Sequence, residues 1–313
     1  MDMSCVDEVL TCADPERWQP GDSWLAGGTV LFSYGTDITQ GPPRRLLDIT
    51  EAGWTPTLWR CDSAGEPVDL EIAATCLIKD IFEFRTSGPR VPGHGDRALP
   101  GLDLFAPACD SFVASWKIWN ASTIGGNVAT GLPAGPMISL LSGLDADALL
   151  WGPRGSLRAV PVAELVVGEA QTTLEPGELI RSFHVPLAAL TQPCAFRRIS
   201  LTERGRTAAL IIGRRLGAGA LRLAITGSTR RPHIIDLGPD AAHAATHEGL
   251  QAAIDEAVAG VWHDDIHGTP QWREAMTHRL GAEILTELLD PAEPHPRFAA
   301  RTTGDITMTR STR

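Results

Sequence analysis

The chain is 313 residues long and carries 27 Lys and Arg against 38 Asp and Glu, a formal net charge of −11. That length suits about two domains of ~150 residues, and 43% hydrophobic with 21% charged residues is a globular rather than a disordered balance. The acidic excess argues against nucleic acid or an anionic membrane as partner, since both need a basic footprint.

Residues 1–19 are acidic and lack both a basic start and an apolar run, so no signal peptide is expected. Apolar stretches such as 207–213 are far shorter than a membrane span, and a cytoplasmic protein is the expectation. Six cysteines (Cys5, Cys12, Cys61, Cys76, Cys109, Cys194) are scattered with no C-x-x-C pair. They fit free thiols in a reducing compartment and exclude clusters or zinc sites built from closely spaced thiolates.

In chain order, residues 24–26 predict a strand running into a glycine pair, 45–49 a second strand, and 68–73 a half-buried strand with alternating apolar and acidic residues. Apolar spacing predicts a helix over 77–84. The density of Gly and Pro over 86–102 predicts a loop. A helix face runs from Leu104 to Trp116 and ends near Trp119, and a further helix is expected over 136–144, entered through Pro133 and Pro136. Residues 148–151, a turn, and 156–160 read as strand, turn and strand. Residues 178–185 form another strand, and 187–193 reads as a loop at a domain boundary. Beyond it come three strands at 195–201, 208–215 and 221–227, an edge strand at 231–237, and helices over 242–261 and 270–289. Thr269 before Pro270 supplies an N-cap and first-turn pair. The tail from Pro291 has a composition expected to be disordered.

Two glycine pairs bear on chemistry. Ala26-Gly27-Gly28-Thr29 follows a strand end, and successive backbone N–H groups there can point at one anion beside a threonine hydroxyl. The alternative is a plain turn that needs positive φ. Thr123-Ile124-Gly125-Gly126-Asn127 offers the same chemistry, with a helix C-cap and turn as its alternative. Together the pairs could line one diphosphate from both sides. Neither is G-x-G-x-x-G, which disfavours a Rossmann dinucleotide fold, and no Walker A motif occurs. His263-Asp264-Asp265-Ile266-His267 has metal-ligand residue types but sits between two helices, where solvated loop contacts are expected and no metal is assigned. No motif supports a Ser/His/Asp or Cys/His nucleophile.

Ala26-Gly27-Gly28-Thr29, then Leu47-Asp48-Ile49, then Asn120-Ala121-Ser122-Thr123-Ile124-Gly125-Gly126-Asn127 occur in the order found in FAD-binding subunits of molybdenum hydroxylases, and the chain resembles that family. Its members are relatives of the xanthine dehydrogenase medium subunit and the carbon monoxide dehydrogenase flavoprotein. Pro176-Gly177-Glu178-Leu179-Ile180, Phe196-Arg197-Arg198 and Asp265-Ile266-His267-Gly268-Thr269 with Trp272-Arg273 continue the match over roughly residues 22–290.

The resemblance implies an α+β chain with a p-cresol methylhydroxylase (PCMH)-type FAD-binding domain at 1–186, made of α/β subdomains at about 1–75 and 76–186. A carbon monoxide dehydrogenase flavoprotein-like C-terminal domain follows at 194–290, with a tail at 291–313. It implies FAD as cofactor, with Leu25, Ala26, Gly27, Gly28, Thr29, Val30, Leu31 and Phe32 on one side of the diphosphate. Ser122, Thr123, Gly125, Gly126 and Asn127 form the other wall, and Ile180 and Arg197 lie near the flavin ring. The family also implies partners: a molybdopterin-binding large subunit, a small subunit with 2Fe–2S clusters, and NAD or another electron acceptor. No catalytic residue is expected in this subunit. Many relatives have Arg at the position of Trp119, an acidic residue at that of Val30 and Asp at that of Pro136. Those departures leave open a flavin-free assembly or adaptor subunit, with a stand-alone flavin oxidoreductase as a further reading.

Overall fold

The computed structural model describes residues 4–92 and 99–290. Near the N-terminus, β1 (Glu8–Thr11), β2 (Asp22–Leu25), the single-turn helix α1 (Leu31–Tyr34) and β3 (Arg45–Asp48) form a three-stranded parallel sheet in the order β1-β3-β2. Leu46 and Leu47 of the central strand are buried. The guanidinium of Arg45 donates to both carboxylate oxygens of buried Asp22, which fixes the β2–β3 register. β1 is not legible in the sequence: four mostly exposed residues show little periodicity, and pairing with β3 makes them a strand.

A second sheet follows from β4 (Thr57–Cys61), β5 (Pro67–Ala73), then helices α2 (Ile78–Phe82), α3 (Phe84–Ser87), α4 (Phe105–Asp110), α5 (Trp116–Trp119), α6 (Ile124–Ala129) and α7 (Pro136–Gly143). Next come β6 (Asp147–Gly152), β7 (Ser156–Pro161), α8 (Val162–Leu165), the small ribbon of β8 (Val166–Gly168) and β9 (Gln171–Thr172), β10 (Leu179–Pro186) and α9 (Leu187–Thr191). The sheet order is β4-β5-β10-β6-β7, all antiparallel. Hence β4 and β5, which precede residue 75, hydrogen-bond into this sheet rather than into the first. Leu70, Ile72, Phe183, Val185 and Leu150 face Ile78, Phe105, Ile124 and Met137 in one core. Every residue of α7 is buried, as a helix covered on all sides requires.

Three local expectations change here. The helix expected to run to Trp119 is broken between α4 and α5. The Ser111 hydroxyl donates to Ala108 O, a local bond that competes with helix continuation, and the indole of Trp119 donates to Phe112 O in the break. Residues 187–193, expected as loop, contain α9, which packs on β5 and β10. The expected loop at 86–102 holds the end of α3 and the start of a 3-10 turn over Pro100–Leu104; residues 93–98 lie outside the described residues.

The C-terminal sheet is an antiparallel meander of β11 (Cys194–Ile199), β12 (Ala209–Arg215), β13 (Leu221–Thr226) and β14 (His233–Leu237). α10 (His247–Ala257) and α11 (Pro270–Leu289) cover one face and α7 the other. Along β12, Leu210 and Ile212 join the core of the second sheet, while Ala209 and Ile211 join that of α10 and α11. A continuous apolar run is therefore what the strand needs. α10 is shorter than the expected 242–261 because Thr246 caps it, accepting from Gly249 N at 3.1 Å. α11 matches expectation, with Pro270 in its first turn and Thr269 accepting from Trp272 N. The expected tail from Pro291 lies outside the described residues. No helix among the described residues is long and apolar enough to cross a membrane.

Candidate functional site: a cleft between two glycine loops

β2 ends at Leu25, and residues 26–30 turn the chain into α1. Gly28 has φ +65°, a left-handed conformation open to glycine without strain. The loop's carbonyls are occupied: Gly28 O accepts from Phe32 N, Thr29 O from the Ser33 hydroxyl, and Val30 O from Tyr34 N. The N–H groups of Gly27, Gly28, Thr29 and Val30 have no acceptor among the described residues. Four successive unpaired amides form a concavity suited to an anion.

The second loop is built differently from expectation. Gly125 and Gly126 are not bare donors in a turn; they form the first turn of α6. Gly125 N donates to Ala74 O, Gly126 N to Thr123 Oγ1, and Asn127 N to Thr123 O. The glycines serve close approach: a Cβ at Gly125 would lie 2.5 Å from that of Ala74. This wall therefore presents side chains, not amides. Ser122 Oγ and Thr29 Oγ1 stand 3.0 Å apart across the two loops. A Cβ on Gly27 would fall 1.8 Å from Ala121 O, so the loops touch and only glycine fits there. Asn127 Oδ1 accepts from Met137 N at 3.0 Å, while its NH₂ group has no acceptor among the described residues.

Between the loops lies a cleft of about 930 Å³, at the upper end of what ligand sites of drug or cofactor size occupy. Leu25, Ala26, Gly27, Gly28, Thr29, Val30 and Leu31 line it, as do Ser122, Thr123, Gly125, Gly126, Asn127 and Ile180. Phe32 does not: its ring folds back over Gly28. Arg197 lies off the lining as well, paired with Glu283 at 3.1 Å and Glu287 at 2.6 Å on α11. Arg206, in the β11–β12 connection, is the cation on the lining and has no carboxylate partner among the described residues. Its chain position carries no motif, so only the fold could single it out. Residues 36–40, 112–114 and 170–172 also line the cleft without a sequence signal. The break between α4 and α5 delivers Phe112, Val113 and Ala114.

Thr36 lies on this lining, and its Oγ1 is buried without a hydrogen-bond partner among the described residues. Among the acids, Asp37 is held by the hydroxyls of Ser23 and Thr39. Burial alone would raise the Glu178 carboxyl, but Arg158, donating at 2.7 and 2.6 Å, and the Glu175 amide hold it below the usual carboxylate range. Trp119 is buried against Phe82 and Trp116 and is not on the lining; Pro136 is.

Two other clusters are structural. Asp265 accepts from Arg273, which is 1% exposed, and faces His263 Nε2 at 3.2 Å, so the expected solvated loop instead anchors a buried cation. No trio of ligating atoms converges there among the described residues. Ser182, His184 and Asp69 align with Ser182 Oγ 3.0 Å from His184 Nε2 and His184 Nδ1 3.5 Å from Asp69 Oδ1, but Ser182 is fully buried and out of reach of a substrate.

Residues 4–188 match the family described as FAD binding domain in molybdopterin dehydrogenase. The chain is 27% identical over 268 residues to the carbon monoxide dehydrogenase medium chain of Hydrogenophaga pseudoflava, covering 83% of this chain and 87% of that one. It superimposes on reconstituted CO dehydrogenase from Oligotropha carboxidovorans with a TM-score of 0.71 at 19% identity, over 91% of this chain and 97% of that one. The carbon monoxide dehydrogenase from Hydrogenophaga pseudoflava that lacks the Mo-pyranopterin moiety gives 0.69 at 22% identity, over 90% and 97%. At such identities the likeness is one of fold.

Proposed function

Since the chain belongs to the family of FAD-binding domains of molybdopterin dehydrogenases, we propose that the four unpaired amides at residues 27–30 receive the FAD diphosphate. The site fits the group. The amides supply fixed donors with no counter-charge of their own, and the free Asn127 NH₂ adds a neutral donor. Ser122 and Thr29, hydrogen-bonded across the loops, close the cleft behind the anion. Arg206 brings a positive charge from the C-terminal sheet.

Bound FAD supplies the chemistry, since it accepts electrons singly and delivers two. The chain's part is to bind, orient and shield it. In this reading it is the flavoprotein subunit of a molybdenum hydroxylase complex with a molybdopterin-binding large subunit and an iron–sulfur small subunit. FAD held there would take electrons from the partner's clusters and pass them to NAD or another acceptor. The six scattered cysteines agree with clusters held elsewhere, and burial pushes the thiols of Cys76 and Cys109 up, away from the thiolate a cluster requires.

The observation that carries the reading is the run of open amides facing a cofactor-sized cleft. The purified chain, mixed with excess FAD and gel-filtered, should retain flavin absorbance in about equimolar amount; a colourless protein peak would overturn it. In the assembled complex, reducing substrate should bleach the flavin and NAD should restore it. Restoration by oxygen or a quinone alone would move the acceptor assignment without touching the FAD site.

A further inference from the structure

We propose that α10 and α11 carry a surface site for a divalent transition cation, formed by Asp255, Glu274 and His278. One ligand atom from each of these residues lies within 4.8 Å of the other two. Glu274 and His278 sit one turn apart on α11, so they share a face, and Asp255 faces them from α10. The two helices pack against each other here, with Gly281 of α11 beside the side chains of Ile254 and Leu250 of α10.

An ordinary ion pair explains only part of this trio. His278 Nε2 is 3.0 Å from Asp255 Oδ1, which satisfies those two groups. Glu274 also converges on the same point, yet makes no hydrogen bond or ion pair among the described residues. A cation between the two carboxylates and the imidazole would bring Glu274 into the cluster as a third ligand. One imidazole nitrogen with two carboxylate oxygens is a donor set that Zn²⁺ and neighbouring divalent metals take, with water in the remaining positions. Metal–ligand bonds of about 2.0–2.2 Å put tetrahedral donors about 3.3–3.6 Å apart, so modest side-chain rotation would close the trio. An ion there would clamp α10 to α11 outside their apolar contact.

The test uses the full chain and Zn²⁺ as probe, with calorimetry for binding and thermal unfolding for the clamp. The wild type should bind one Zn²⁺ per chain and unfold at a higher temperature with the metal than with chelator. Glu274→Gln and His278→Ala should each weaken Zn²⁺ at least tenfold and abolish the temperature rise. Both should keep FAD retention, since neither residue lines the cleft between the glycine loops, and Glu274→Gln should also keep the unfolding temperature in chelator near wild type, since Glu274 has no hydrogen bond or ion pair among the described residues to lose. Absent binding, or binding equally tight in both variants, would overturn the site, and neither result bears on the FAD assignment.

Discussion

At the residue scale the flavin cleft depends on backbone geometry more than on side-chain chemistry. Gly27 leaves no room for a methyl, because Ala121 O occupies that space. Gly27→Ala should therefore push the two glycine loops apart, weakening FAD at least tenfold in a fluorescence titration and lowering stability. Thr29→Val separates the two effects: it removes the hydroxyl pair with Ser122 while leaving the backbone in place, and should cost about 1 kcal/mol with FAD retained. His233 makes a separate, pH-dependent contribution. Burial first, then the nearby Arg231 charge, lowers its pKa from the ordinary 6.5 to about 4. The folded state thus refuses a proton that the unfolded chain accepts, so the stabilisation is complete above pH 6.5 and is lost as the pH falls toward 4. Denaturant unfolding at several pH values should show that slope, and His233→Asn should flatten it. The turn at residues 27–30 was legible from Gly27-Gly28 at a strand end, since glycine is what the positive φ at residue 28 needs. Arg206 was not, because a lone arginine in a connection has no spacing to betray it.

At the scale of elements, periodicity and capping were reliable where a helix or strand is set by its own residues. α11 begins where Thr269 and Pro270 say it should. Thr269→Ala should reduce stability by about 1 kcal/mol, read as a lower denaturant midpoint with an unchanged slope. Periodicity failed where a tertiary partner intervened. The apolar face from Leu104 to Trp116 looks continuous, yet the chain breaks so that Phe112 to Ala114 can reach the cleft, with Trp119 covering the freed carbonyl. β1 is a strand only because β3 pairs with it. The glycines at 125 and 126 read as a turn, but inside a helix the close passage of Ala74 explains Gly125, and the capping Thr123 hydroxyl lies where a Cβ of Gly126 would go.

For the whole molecule, the decisive feature is a C-terminal sheet buried on both faces, which locks it to the second sheet through α7. Buried Arg214 crosses this junction. Its guanidinium donates to Gly143 O, to the Gln192 amide oxygen and to Asp145, which also pairs with Arg222. Asp145→Asn keeps a residue tolerant of the positive φ at this position but withdraws the charge from a buried arginine. A loss of roughly 3–5 kcal/mol is expected, measured by equilibrium unfolding; a change below about 1 kcal/mol would mean that solvent reaches Arg214. A second cavity of about 550 Å³ lies in the same region, lined by Asp145, Arg222 and His233. The strands of the C-terminal meander, the start of α11 and a glycine turn after β2 were set by the sequence alone, because each follows from spacing or conformational freedom within a few neighbouring residues. Which glycine loop leaves its amides open, which arginine faces the cleft and which carboxylate neutralises Arg214 were decided only by the tertiary structure, because those pairings join groups far apart in the chain, 69 positions for Asp145 and Arg214, that no local pattern couples.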